Sequence, residues 1–191
     1  MAIAQSDPLC ARLADGLDDA FPELVGQHQQ LVFGIAVRIV GDSVAEDVAQ
    51  EVFVRAYRAL RRYPPERVRA MRLRPWLGRM TLNLARNSIR QRRQEVDIAD
   101  IAESKQSTDV GPAQLIQRSE DQKMWARLLA GLPPRYRLAV ALRHVDELSY
   151  AELAETLGRP VGSVKSDVHR GIALLRAAYD AEQRGIAQEA S

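Results

Sequence analysis

Residues 149–179 read SYAELAETLGRPVGSVKSDVHRGIALLRAAY, and their pattern is that of two helices joined by a tight turn. Ser149 followed three residues later by Glu152 is a capping box, which starts a helix near Tyr150. Leu153 and Leu157 form its apolar stripe. Gly158 ends it, because glycine accepts the left-handed backbone that other residues resist. Pro160 then turns the chain into a second helix. There Val161, Val164, Val168, Ile172 and Leu175 recur every three or four residues and define a buried face. Ser163, Lys165, Ser166, His169 and Arg170 occupy the other side. A donor-rich face on a helix held by a partner helix is what reading base edges in a major groove requires. An ordinary helical hairpin with a solvated polar face has the same periodicity, so the rest of the chain has to decide.

Working outward, no segment shows the alternation of a strand, and no repeat is present. The first residues, up to about Asp18, are acidic and expected to be partly disordered. Leu24, Leu31, Ile35 and Ile39 predict a helix over 21–40, lightly interrupted at Gly26 and Gly34 and ended by Gly41. Ser43 with Glu46 reads as another capping box, opening a helix to about Arg62 whose inner face is Val44, Val48, Val52, Ala56 and either Ala59 or Leu60. Pro64 and Pro65 break it. After a short turn near Val68, Pro75 suits the start of a helix through Trp76, Leu77, Met80, Leu84 and Ile89. Residues 95–112 are polar and without period, as in a linker. Helical pattern returns at 117–132, and Pro133-Pro134 opens a helix that leads into the helix-turn-helix. The expected fold is all-α, with two small helical domains on a flexible acidic tether.

The charge is sorted along the chain. Residues 1–51 carry nine carboxylates against Arg12 and Arg38, whereas 61–93 carry eleven arginines against Glu66 alone. Such segregation points to two partners of opposite charge and gives the basic stretch a polyanion to bind. The single cysteine, Cys10, excludes an internal disulfide and fits a reducing compartment. With His28, His144 and His169 scattered, no metal or cofactor site is expected. The apolar run 31–40 is far too short to span a bilayer, and no secretion signal is legible, so a soluble, cytoplasmic protein without membrane insertion is expected.

Two further faces carry chemistry. On 42–60, DSVAEDVAQEVFVRAYRAL, the residues Asp47, Gln50, Glu51 and Arg55 share a polar side opposite the valine stripe. On 75–93, PWLGRMTLNLARNSIRQRR, Arg79, Asn83, Arg86, Asn87 and Arg90 recur at helical spacing. Arginine holds phosphates by paired hydrogen bonds, and asparagine offers a base both donor and acceptor. Trp76 either fills the core or offers a stacking surface to an unpaired base.

Together these segments resemble bacterial RNA polymerase sigma factors of the sigma-70 family, extracytoplasmic-function (ECF) subfamily. The resemblance covers about 21–179, with AEDVAQEVFVRAYRAL and PWLGRMTLNLARN similar to sigma region 2 and LPPRYRLAVALRHVDELSYAELAETLGRPVGSVKSDVHR similar to region 4. It implies an N-terminal extension at 1–20, region 2 at 21–93, a linker at 94–116, region 4 at 117–183 and a tail at 184–191. It further implies a protein without catalysis that binds core RNA polymerase, directs it to promoters and assists opening. Asp47, Gln50, Glu51 and Arg55 would dock on the clamp of the largest subunit, and region 4 on the flap of the second largest. Trp76, Arg79, Asn83, Arg86, Asn87 and Arg90, with the loop 64–74, would take the minus-ten element. Ser163, Lys165, Ser166, His169 and Arg170 would read the minus-thirty-five element, and an anti-sigma protein would be a further partner.

Two features depart from the family pattern. The loop before Pro75 is long and rich in proline and arginine, and Asp167 stands where an arginine is common. Beside phosphates an aspartate would be repelled, so it either turns back to Arg170 or a backbone group, or accepts from a cytosine amino group. Gly171 suits close packing. The competing reading is a two-domain helix-turn-helix regulator acting without sigma activity, which leaves the Asp47 face and the arginine-rich stretch without a purpose. An enzyme has no support, since no nucleophile–base pair or phosphate-binding glycine loop is present.

Overall fold

A computed structural model describes residues 7–99 and 120–189. Within them lie α1 (Pro8–Asp15), α2 (Leu17–Val40), α3 (Asp42–Leu60), α4 (Pro65–Arg69), α5 (Leu73–Ala99), α6 (Glu120–Ala130), α7 (Pro134–His144), α8 (Tyr150–Leu157) and α9 (Val161–Glu189). No strand occurs among the described residues. The chain forms two compact units, the first holding α1–α5 and the second holding α6, α7, α9 and most of α8.

In the first unit α2, α3 and α5 pack on one another, and α1 rests on α2 and α4. The valine stripe of α3 (Val44, Val48, Val52) continues through Ala56 and Leu60 into a core shared with Leu24, Val32 and Ala36 of α2 and with Leu73, Leu77 and Ala85 of α5. Full burial of each such valine or leucine contributes about 1.5–3 kcal/mol. Helix α2 runs without a break through Gly26 and Gly34. Gly41 alone separates it from α3, at φ 79°, a backbone that L side chains rarely adopt. That one-residue turn corrects the Ser43–Glu46 capping box: α3 begins at Asp42, its cap position is Gly41, and no side chain caps it. Ser43 is already inside the helix.

Helix α5 begins at Leu73, so Pro75 sits in its first turn, where the missing N–H has no partner to lose. It continues to Ala99, into the stretch expected as linker; the remainder of that expected linker lies outside the described residues. Of the N-terminal stretch expected to be partly disordered, residues 1–6 lie outside the described residues, and most of the remainder is helical. Asp7 caps α1 by accepting from the Leu9 N–H at 3.0 Å, Pro8 occupies the first turn, and Leu9, Cys10 and Leu13 are buried. Two long-range ties add to this: the Cys10 thiol donates to the Met71 carbonyl at 3.4 Å, and Asp15 pairs with Arg69 at 2.5 Å.

In the second unit α7 packs against α9, with α6 on another side of α9. The core includes Leu132, Ala139, Val140, Leu142, Leu148, Val164 and Val168. Trp125 of α6 stacks on Tyr179 of α9 with ring centroids 5.1 Å apart and planes 7° from parallel. The capping box at α8 is formed: Ser149 N–H donates to Glu152 Oε2 at 2.8 Å and Glu152 N–H donates to Ser149 Oγ at 3.2 Å. Gly158 adopts φ 63°, as the turn after α8 needs. Helix α9 runs to Glu189, through the stretch expected as a tail from 184.

Candidate polymerase and nucleic-acid faces

On α3 the buried valines turn Asp47 and Gln50 outward and leave Glu51 half-buried. Arg55 Nε donates to Glu51 Oε1 at 2.6 Å, and Gln50 Nε2 reaches Glu46 Oε1 at 3.5 Å, so the polar side chains are ordered along the helix. Val54 stands in the same face, 43% exposed. Sequence reasoning missed it, although a valine two residues past Val52 falls off the buried stripe and was detectable by that offset.

On α5 the buried residues Leu77, Thr81, Leu82 and Ala85 set the orientation. The Thr81 hydroxyl donates to the Leu77 carbonyl at 2.8 Å and so is satisfied inside the core. Arg79, Asn83, Arg86, Asn87 and Arg90 are all exposed on the other side. Arg90 Nη2 donates to Asn87 Oδ1 at 3.3 Å. Trp76 is half-buried and packs with the core while its ring lies 6.4 Å from that of Tyr63. The Arg67 guanidinium sits 3.6 Å from the centre of the Tyr63 ring. Tyr63 and Arg67 were not singled out from sequence, and they give the loop before α5 an aromatic and a cation in contact. Beside them an open cleft of about 280 Å³ is lined by Leu13, Leu17, Asp18, Arg61, Tyr63 and Val68.

On α9 Val164 and Val168 are fully buried, Lys165, Ser166, His169 and Arg170 are exposed, and Ser163 is half-buried. Two sequence expectations are corrected here. Val161 does not join the apolar face; as the first residue of α9 it precedes the core contact and is 48% exposed. Asp167 lies off the exposed face and does not pair with Arg170. Its carboxylate is buried between Arg135 of α7 and Arg159 of the α8–α9 turn. Burial pushes this carboxyl up, but hydrogen bonds and charge from Arg135 and Arg159 outweigh it and hold the pKa below the usual carboxylate range. At Gly171 α7 and α9 are packed closely: a Cβ there would lie 2.5 Å from Val140 Cγ2.

Among the described residues no group of three or more potential metal ligands occurs, and no helix is long and apolar enough to cross a membrane. Residues 24–95 match the family model of Sigma-70 region 2, and residues 122–175 that of Sigma-70, region 4. The chain belongs to the sigma-70 family, in its ECF branch. It is 35% identical over 161 residues to the ECF RNA polymerase sigma factor SigE of Mycolicibacterium smegmatis, a match covering 82% of this chain and 60% of that relative. It is 31% identical over 171 residues to the ECF RNA polymerase sigma factor SigW of Bacillus subtilis, covering 84% of this chain and 89% of SigW. Among solved structures, CnrH in complex with the cytosolic domain of CnrY is similar, with a TM-score of 0.61, 27% identity, and coverage of 91% of this chain and 96% of CnrH. As an ECF sigma factor the chain is a transcription initiation factor and not an enzyme.

Proposed function

We propose that the two units divide the work of an alternative sigma factor among three faces. The α3 face of Asp47, Gln50, Glu51 and Arg55, with Val54, holds the clamp of core RNA polymerase. The α5 face of Arg79, Asn83, Arg86, Asn87 and Arg90, with Trp76, takes the minus-ten element. The α9 face of Ser163, Lys165, Ser166, His169 and Arg170 reads the minus-thirty-five element, and the second unit also meets the flap of the second largest polymerase subunit. The domain limits follow as region 2 near 21–93 and region 4 near 117–183, acting in the cytoplasm where polymerase is. An anti-sigma protein that binds this chain belongs to the same proposal, and the similar structure of CnrH in complex with the cytosolic domain of CnrY supports a protein partner.

The observation that carries the reading is the sorting of α5 and α9. Each turns cationic, amide or hydroxyl side chains, of the kinds that bind phosphates and bases, away from a core of fully buried aliphatic ones. Core RNA polymerase supplemented with the chain is expected to start transcription at a promoter that core alone ignores. Transcription that still requires a second sigma factor would instead identify a helix-turn-helix regulator.

A further inference from the structure

An acidic residue among the side chains proposed to read the promoter needs a physical reason, and its surroundings supply one. Asp167 is 1% exposed, yet the groups that neutralise it are not: the Arg135 side chain is 57% exposed and that of Arg159 31%. Arg135 meets both carboxylate oxygens, donating from Nε to Oδ2 at 2.8 Å and placing Nη2 2.7 Å from Oδ1. Arg159 adds a further hydrogen bond from Nη1 to Oδ2. One arginine would cancel the charge of one carboxylate, so the second leaves the cluster with a net positive charge at the surface.

The position of that surplus charge matters. Successive α-helical residues are about 100° apart, so Asp167 lies roughly 60° around α9 from Arg170. The two arginines, one from the first turn of α7 and one from the turn just before α9, meet α9 at Asp167, on the side that adjoins the Arg170 edge of the exposed face. A helix about 10–12 Å across fills a major groove about 12 Å wide, and the phosphate backbone then borders both of its edges.

We propose that Arg135 and Arg159 form a phosphate-binding pair along one edge of the recognition helix, and that Asp167 is the positioning residue that holds both in place. The inference rests on the reading of α9 as the promoter-reading helix. Arg135 and Arg159 grip the DNA backbone by charge and by the guanidinium N–H groups that Asp167 leaves over, so they set register and affinity without reading sequence. Asp167 spares them much of the ordering cost that a free arginine incurs on binding. The aspartate thus aids DNA binding although its own charge opposes it.

Holoenzyme assembled from core polymerase and the full chain is used to select fragments from a randomised duplex library, and the selected fragment is titrated from about 50 to about 200 mM salt. Arg135→Ala and Arg159→Ala are each expected to weaken binding and to reduce the slope of log affinity against log salt by about one, with base preferences unchanged. Arg159→Lys should keep the slope. Asp167→Asn, which retains both cations but loosens them, should lower affinity several-fold, also with base preferences unchanged. If either alanine variant fails to fold, Arg135→Gln or Arg159→Gln, which can still donate to Asp167, carries the measurement. Charge-removing variants that lower the melting temperature but leave slope and affinity as in the wild type would overturn the proposal and leave a structural clamp. A changed base preference would overturn the phosphate assignment. Should wild-type holoenzyme select no fragment at all, the sigma-factor reading itself fails, which is a separate result.

Discussion

At Gly171 the second unit leaves no room for a side chain, and Gly171→Ala tests the packing of α7 against α9. The added methyl would lie 2.5 Å from Val140 Cγ2 and 3.3 Å from both the Cβ and the carbonyl oxygen of Tyr136. Comfortable carbon–carbon contact is about 3.5–4.0 Å, so α7 and α9 must part by roughly an ångström. Relief by rotation is poor. Val140 is buried and β-branched, with few χ1 choices in a helix, and the Tyr136 contact includes backbone. Overpacking of this kind costs about 1–3 kcal/mol, and the severity of the contact puts it in the upper half. Alanine's better helix propensity returns about 1 kcal/mol. The net is a loss of about 1–2 kcal/mol, or roughly 5–15 °C in the melting of a unit this small. Differential scanning calorimetry of the full chain measures it, with hydrogen exchange assigning the loss to α7 and α9. Gly26→Ala is the matched control, since Gly26 is exposed in mid-helix with nothing within 4 Å of a Cβ; it should gain up to about 1 kcal/mol. In Val140→Ala the clash partner is gone, so the Gly171→Ala cost should shrink there. A Gly171→Ala protein that melts at or above the wild-type temperature would refute the argument.

Reversing Asp47 and Glu51 to arginine should weaken co-purification with core polymerase by several kcal/mol, roughly, while helicity persists. The exposed Glu51–Arg55 pair lost in the process is worth only about 0.5 kcal/mol. Unchanged co-purification would remove that face from the proposal. Asn83→Ala should impair opening at the upstream edge of the minus-ten element with polymerase binding intact, whereas Arg90→Ala should lower DNA affinity evenly and cut the salt slope by about one; normal opening and base preference in Asn83→Ala would argue against that role. His28 is buried with Nε2 unpartnered, and burial lowers its pKa, with Asp7 opposing and Arg74 reinforcing. The unfolded chain therefore takes up the proton first as pH falls, and the first unit should lose stability below about pH 6.5. His28→Leu should flatten the fall of melting temperature between about pH 7.5 and 5.5, and a wild-type melting temperature that does not fall there would contradict the sign.

The helix-turn-helix was legible because its signals are local. Ser149 and Glu152 are three residues apart and bond each other, Gly158 takes its positive φ within the same turn, and Val164 and Val168 are one helical turn apart. Helix α1 was not legible for the complementary reason. Eight residues are too few to be helical on propensity, and what orders them is burial of Leu9, Cys10 and Leu13 together with ties to Met71 and Arg69 more than fifty residues away. The Ser43–Glu46 box failed although its spacing was right. Gly41 made a one-residue turn from α2, which started α3 before Ser43 could act as its cap.

Asp167 shows where reading charge from a helical wheel stops. Within α9 the periodicity could weigh only Arg170, three residues on, and a phosphate or a base outside. Its actual partners stand 8 and 32 residues back, on the turn and on α7, and spacing arguments confined to one helix cannot reach them. The wheel did contain a clue: Asp167 falls on the side of Val164 and Gly171, away from Lys165 and His169, so its face predicts burial while its charge predicts exposure. When face and charge conflict in this way, burial requires a cation brought from elsewhere, because an unpaired buried carboxylate would be too costly to retain. Arg135 and Arg159 are those cations. Their outer exposure turns a packing requirement of the core into positive charge at the surface, and on the proposed reading of α9 that charge offsets the carboxylate beside the phosphate backbone.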